Sequence, residues 1–175
     1  MGSTECSFLK AYLAERLEHV VRSIIVDRPA TKPFKIGDAS SRYINTACPG
    51  HPTHNKLTEV DVDYPTYSGK GTQYGPYTDG SHEGIWLDND PNNMILDESK
   101  VNWWAIWQLI IRLHALYNGE RQHVQYIIHE KIYDLIIKNI SREEGQYFYT
   151  IVNTDQKRDY NHDTHIHLKL DGGLY

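Results

Sequence analysis

Apolar residues recur at helical spacing in three stretches of the chain. Over residues 5–25 they fall at every third or fourth position with charged residues between them, which predicts an amphipathic helix over 5–25. The same pattern predicts helices over about 98–117 and 130–139. Asp97 or Ser99 is the expected N-cap of the middle helix, because short polar side chains commonly cap helix N-termini.

Elsewhere apolar and polar residues alternate one by one, the pattern of a strand with one buried face. Over Thr58–Tyr64 the apolar side chains share one face, and Asp61 and Asp63 share the other, which we expect to look into a cleft. Over His165–Leu170 the apolar side chains face the core, and His165 and His167 face outward. Two polar strand faces are therefore predicted.

The remaining segments complete a mixed fold. Short apolar runs predict strands at 34–36, before a Gly-Asp turn, and at 124–128, whereas 142–158 fits helix and strand equally well. Residues 65–92 are rich in Gly, Pro and Tyr and predict a long loop. Its part 65–82 and the adjacent Trp86 either border the cleft or form an ordinary surface loop with exposed tyrosines. The mixed order of elements favours an α+β fold, a central antiparallel sheet with helices packed on it. Because the chain has 175 residues, we expect a single domain over 1–175.

Composition and charge exclude several partners. The chain has 18 Lys+Arg against 23 Asp+Glu and no long basic run, so we expect no nucleic-acid partner. No stretch approaches the roughly 20 apolar residues that span a bilayer, so we expect no membrane insertion, and we favour a monomer. The N-terminus lacks the pattern of an export signal. Cys6 and Cys48 either form a bridge or remain thiols, and both alternatives stay open.

Five of the ten histidines fall into two clusters, each beside one of the alternating strands. The clusters are His51 with His54, and His162 with His165 and His167. If the two strands are neighbours in one sheet, two imidazoles and one carboxylate converge on a point. Two histidines and one carboxylate with an open fourth position are a ligand set for catalytic zinc.

These motifs resemble those of the penicillin-insensitive murein endopeptidases. That family belongs to a group of zinc peptidases with lysostaphin-type enzymes, D-Ala-D-Ala carboxypeptidases and the Hedgehog signalling domain. The resemblance rests on His51-x-x-His54, Asp61-Val62-Asp63 and His162-x-x-His165-x-His167, and it covers most of the chain. It implies one zinc ion held by segments 51–64 and 162–170. His54, Asp63 and His167 match the metal ligands, His165 matches the active-site histidine before the last ligand, and His51 and His162 match two histidines that line the site.

The identity of the aspartate ligand depends on how the first motif is aligned. The family usually has six residues, one of them glycine, between the first histidine ligand and the aspartate; this spacing selects Asp61, with Leu57 in the glycine position. Asp63 aligns only if a two-residue insertion is accepted. We favour Asp63 as the ligand and expect Asp61 to orient a ligating imidazole.

The resemblance implies a zinc peptidase that hydrolyses peptide bonds of bacterial peptidoglycan through a metal-activated water, with the peptide stems as substrate. No His-Glu-x-x-His motif is present, so His165 is expected to move the proton, while His162 and His51 hold the oxyanion or the substrate. Such an enzyme would act in the periplasm or outside the cell, as a host enzyme, a toxin or a phage lysin.

Two alternatives to a peptidase stay open. One is a zinc-stabilised binding module of the same fold without turnover. The other is a non-haem iron oxygenase with two histidines and one carboxylate, whose ligands more often follow a His-x-Asp pattern that is absent here.

Overall fold

The computed structural model describes residues 11–39, 59–72, 82–87, 94–118, 123–155 and 164–171. Within these ranges lie four helices and seven strands. In chain order they are α1 (Ala11–Asp27), β1 (Ile36–Ala39), β2 (Glu59–Asp63), β3 (Gly71–Thr72), β4 (His82–Glu83), α2 (Trp103–Asn118), β5 (His123–His129), α3 (Glu130–Asn139), α4 (Arg142–Ile151), β6 (Val152–Asp155) and β7 (His165–Asp171). The predicted α+β class is confirmed. Both cysteines lie outside the described residues.

A five-stranded sheet in the order β1-β2-β7-β5-β6 forms the centre of the fold. The pairs β1–β2, β2–β7 and β5–β7 are antiparallel. The pair β5–β6 is parallel, so the sheet is mixed and not wholly antiparallel as predicted. The reason is that α3 and α4 lie between these two strands in the chain and let β6 run in the same direction as β5. The last described strand, β7, thus lies in the middle of the sheet. It is a neighbour of β2, which meets the condition that the sequence analysis set for a shared site of His165, His167 and the aspartates.

The helices cover one face of this sheet. The apolar residues of β2, β5 and β7 form one core with α1, α2 and α3; the strand residues are Val60, Val62, Tyr126, Ile128, Ile166 and Leu168. Helix α1 adds the apolar face that its periodicity predicted, with Leu13, Leu17, Val20 and Ile24 buried. Because strand side chains alternate in direction, the polar residues of β2 and β7 lie on the opposite face. Among the described residues no helix is both long and apolar enough to cross a bilayer.

Two element boundaries differ from the sequence prediction. Strand β1 comprises Ile36–Ala39 and includes the Gly-Asp pair that predicted a turn, because its pairing with β2 continues past a register irregularity. Helix α2 begins only at Trp103, because the Asn102 side chain accepts a hydrogen bond from the backbone N–H of Ala105. Neither Asp97 nor Ser99 caps it; they bond to each other in the preceding turn.

The structure defines two further segments, one that the sequence pattern left ambiguous and one that it predicted as loop. The ambiguous stretch 142–158 contains both helix α4 and strand β6 in its described part. The predicted loop 65–92 contains the short parallel pair β3–β4.

Two buried tyrosines differ in how their hydroxyl groups are satisfied. The Tyr64 hydroxyl accepts a hydrogen bond from the backbone N–H of His129 at 2.9 Å. The Tyr126 hydroxyl has no hydrogen-bond partner among the described residues, although the side chain is fully buried. Burial, and secondarily the neighbouring Tyr117 and Tyr147, raises the pKa of Tyr126 above its usual value.

We expect the two tyrosine-to-phenylalanine substitutions to have opposite effects on the free energy of unfolding at pH 7. Tyr126→Phe removes an unpartnered buried hydroxyl and should raise this free energy by about 1 kcal/mol. Tyr64→Phe leaves the buried His129 N–H unpaired and should lower it by about 1–3 kcal/mol. Urea denaturation followed by circular dichroism measures both, and changes of the same sign would contradict the assignment.

The raised pKa of Tyr126 also predicts a pH dependence. A tyrosine that stays neutral in the folded chain contributes stability that is fully present below the unfolded pKa of about 10 and is lost as the pH rises above it. We therefore expect the free energy of unfolding of Tyr126→Phe to exceed that of the wild type by an increasing amount as the pH is raised past about 10. Denaturation repeated at pH values on both sides of this value checks the trend, and a constant difference would contradict it.

Candidate functional site

The polar faces of β2 and β7 meet in register. Asp61 lies opposite His167, and Asp63 lies opposite His165. Residues directly opposite in an antiparallel pair have Cβ atoms about 4.5–5.5 Å apart, so their side chains are in reach of each other. The sheet thus brings together Asp61 and His167, which are 106 positions apart in the chain.

Asp61 lies between the two described histidines of the site. Its Oδ1 atom is 2.9 Å from Nδ1 of His167 and 3.4 Å from Nε2 of His165. Asp61 is 3% exposed and His167 is 6% exposed. Burying a carboxylate costs free energy unless the group is paired and hydrogen-bonded. The two imidazoles therefore offset part of the cost of burying Asp61. His167 lies on the predicted face, but that face is buried here, contrary to the expectation that it is open.

Asp63 occupies the neighbouring position on the same strand face. Its side chain is half-buried, its backbone N–H donates to the carbonyl of Lys35 at 3.0 Å, and its register partner is His165. The register thus pairs Asp61 with His167 and Asp63 with His165, but the Asp61 carboxylate lies close to both histidines.

Asp61 and His167 are the described residues whose donor types suit a metal ion. Two atoms bound to tetrahedral zinc at about 2.0–2.1 Å lie roughly 3.3 Å from each other. The 2.9 Å between Asp61 Oδ1 and His167 Nδ1 is a hydrogen-bond distance and is shorter than this value. A carboxylate oxygen and an imidazole nitrogen are also donor types that zinc prefers, so Asp61 and His167 fit the ion.

Three predicted site residues, His51, His54 and His162, lie outside the described residues. Within the part of the chain that the structure describes, no group of three or more His, Cys, Asp or Glu side chains is arranged to hold a metal ion. The third ligand of the prediction, His54, therefore stays a prediction.

An ion pair extends the polar face beyond Asp61. Glu59 lies opposite Lys169 in the same ladder, and Lys169 Nζ is 3.5 Å from Glu59 Oε1. Glu59 is buried, whereas about a third of the Lys169 side chain is exposed, at 34%. The ammonium group thus compensates a second buried carboxylate next to Asp61.

The sequence pattern assigned no role to His129, which the structure places at the N-terminus of α3. This histidine is the last residue of β5, and its ring packs edge-on against Trp86 with 4.8 Å between ring centroids. Its Nδ1 atom accepts a hydrogen bond from the backbone N–H of Lys131 and caps α3. Ser, Thr, Asp and Asn are the usual capping residues, so the sequence carried no signal for this histidine. Trp86, predicted to border the cleft, is a buried residue that contacts His129.

No protein-family model, no curated protein and no solved structure matches this chain. The resemblance to murein endopeptidases therefore stays a prediction from the residue pattern.

Proposed function

We propose that this protein is a zinc-dependent peptidase that hydrolyses peptide bonds in the peptide stems of bacterial peptidoglycan. The observation that carries the proposal is the Asp61–His167 pair, a carboxylate oxygen and an imidazole nitrogen 2.9 Å apart on adjacent strands. The resemblance implies an aspartate ligand on β2 and a histidine ligand on β7, and this pair has one of each. The proposal places the activity at the cell wall, in the periplasm or outside the cell.

We infer that Asp61, rather than the initially favoured Asp63, is the carboxylate ligand. Asp61 is the register partner of His167, and six residues separate it from His54, so no insertion is needed in the alignment. In this proposal His54, Asp61 and His167 hold one zinc ion. The imidazole of His165 is oriented by Thr164, whose Oγ1 atom is 3.3 Å from Nδ1, and by Asp61 near Nε2, whereas Asp63 is its register partner on β2.

A zinc ion at this position would lower the pKa of a bound water to about 7 and polarise the scissile carbonyl. His165 supplies the proton transfer: its Nε2 atom takes the proton that the attacking water loses and gives it to the leaving amine as the C–N bond breaks. The Asp61 carboxylate, 3.4 Å from that Nε2 atom, stabilises the imidazolium formed in between. His51 and His162 hold the substrate or the oxyanion.

The ligand assignment predicts different metal affinities for two aspartate variants. We expect the wild type to bind one zinc ion per chain and Asp61→Ala to lose more than about 100-fold in zinc affinity, because a ligand is removed. Asp63→Ala should keep a zinc affinity close to that of the wild type, because neither Asp63 nor its register partner His165 is a ligand in this proposal. Competition with a chromophoric chelator at pH 7 measures both, and the reverse ranking would return the ligand role to Asp63.

Zinc-loaded wild type should solubilise purified peptidoglycan sacculi and release new amino groups, and a chelator should stop the reaction until zinc is restored. We expect His165→Ala to keep its zinc and lose about 10²- to 10⁴-fold in turnover, the usual contribution of a positioned acid–base group. His19→Ala is the matched control, because His19 is exposed on α1, an element packed against the other face of the sheet.

Mass spectrometry of the released fragments identifies the bond that is cleaved. Wild type that is saturated with zinc but cleaves no sacculi would overturn the peptidase proposal, and cosedimentation with intact sacculi would then support a binding module. Stoichiometric iron with cosubstrate-dependent oxidation would instead support the oxygenase.

A further inference from the structure

We propose that Thr72 is a positioning residue of this site, whose hydroxyl group holds the peptide unit between Thr164 and His165 and thereby the imidazole that transfers the proton. The inference rests on the proposed peptidase function, in which His165 is that imidazole. It gives a role to a residue of the segment 65–82, for which the sequence left two alternatives open.

The Thr72 hydroxyl connects β2 and β7 just beyond the last pair of their ladder. It accepts a hydrogen bond from the backbone N–H of Tyr64 at 3.0 Å and donates one to the backbone carbonyl of Thr164. The same Tyr64 N–H also donates to the Thr164 carbonyl, at 3.1 Å. Because the ladder ends at the pair Asp63–His165, these groups close its end. Thr72 is 5% exposed, and a buried hydrogen bond is stronger than one in water.

This bridge acts on His165 through the peptide unit that precedes it. The Thr164 carbonyl and the His165 N–H belong to one planar group, so two hydrogen bonds to the carbonyl fix the orientation of that plane. The plane in turn determines how the two side chains lie relative to each other. Thr164 Oγ1 is 3.3 Å from Nδ1 of His165, whose Nε2 atom is 3.4 Å from Asp61 Oδ1.

The position of His165 in the sheet makes this support necessary. It is the first residue of β7 and belongs to the last pair of the β2–β7 ladder. The ends of secondary-structure elements open at a lower free-energy cost than their interiors. A proton-transferring group must stay within hydrogen-bond reach of the atoms it serves, so a fraying strand end is a poor place for it. The Thr72 hydroxyl extends the ordered backbone past His165.

The turn that presents Thr72 is itself rigid. Thr66 Oγ1 donates to the Lys70 carbonyl at 2.9 Å, and the strand that contains Thr72 pairs with β4. Gly69 has a φ of 79°, and a Cβ atom at this position would lie 2.7 Å from Cβ of Lys32. The turn therefore needs glycine both for its backbone conformation and for its close packing. A group that positions another must be held in this way by its own surroundings.

Three variants separate the positioning role from a general effect on the fold. Thr72→Val removes the hydroxyl and keeps the shape of the side chain, whereas Thr72→Ser keeps a group that both accepts and donates. Thr66→Val is the matched control, because Thr66 is a threonine of the same turn, 2% exposed, whose hydroxyl bonds within the turn. Melting temperatures of the two valine variants should fall to a similar extent, because each loses the hydrogen bonds of one buried hydroxyl.

Turnover should distinguish the two valine variants. On zinc-loaded protein with a soluble peptide-stem substrate, we expect Thr72→Val to lower kcat and kcat/KM together by about 10- to 100-fold, the usual cost of losing a group that orients a functional residue. Thr72→Ser and Thr66→Val should keep kcat near the wild-type value. Where valine is not tolerated at position 72, Thr72→Ala removes the hydroxyl without adding a group and has the same expected effect on kcat.

Two results would overturn the role of Thr72. One is wild-type kcat in the variants that lack the hydroxyl. The other is an equal loss of kcat in Thr72→Ser or in Thr66→Val, since the effect would then come from the turn as a whole and not from the Thr72 hydroxyl.

Nuclear magnetic resonance tests the same inference without turnover. The ring ¹H–¹³C signals of His165 in the zinc-loaded protein should shift in Thr72→Val and stay at their wild-type positions in Thr72→Ser and Thr66→Val. Cleavage of sacculi by the wild type together with unchanged His165 signals in Thr72→Val overturns the role of Thr72 alone. A zinc-saturated wild type that cleaves nothing overturns the proposed function as well.

Discussion

The candidate site depends on the register between β2 and β7. That register is set by the core, because Val60, Val62 and Ile166 are fully buried on the helix-covered face. A slip by one residue would turn these side chains to the opposite face and lose burial worth about 1.5–3 kcal/mol for each. The same register puts Asp61 opposite His167 on the other face. The spacing of the polar atoms is therefore maintained by hydrophobic packing that none of the site residues takes part in.

The position of β7 explains why the site joins distant parts of the chain. This strand is the last described element, yet it lies between β2 and β5 and completes the sheet. Both of its ladders are non-local, so loop-closure entropy must be overcome before either forms. Once β7 is paired, Asp61 and Glu59 lie beside His167 and Lys169, the groups that compensate their buried charge. The site and the sheet thus form together.

Local patterns predicted the interiors of elements better than their ends. Alternation predicted β2 and β7, and helical periodicity predicted α3, because these signals depend on which face each residue presents. The start of α2 was wrong because Asn102 caps it and Val101 pairs with Thr66, a contact that comes from elsewhere in the chain. The capping role of His129 was missed because histidine is not among the usual N-cap residues.

The sequence by itself determined the faces: alternation placed Asp61 with Asp63 and His165 with His167, and so named the side chains that a shared site would use. It did not distinguish between the two aspartates, because residues two positions apart on a strand point in the same direction. Only the tertiary structure decided that Asp61 meets His167, because the order of strands in the sheet makes β2 and β7 neighbours in this register. The physical reason is that strand order and register depend on the apolar surface buried across the whole sheet, and no single stretch of sequence determines that total.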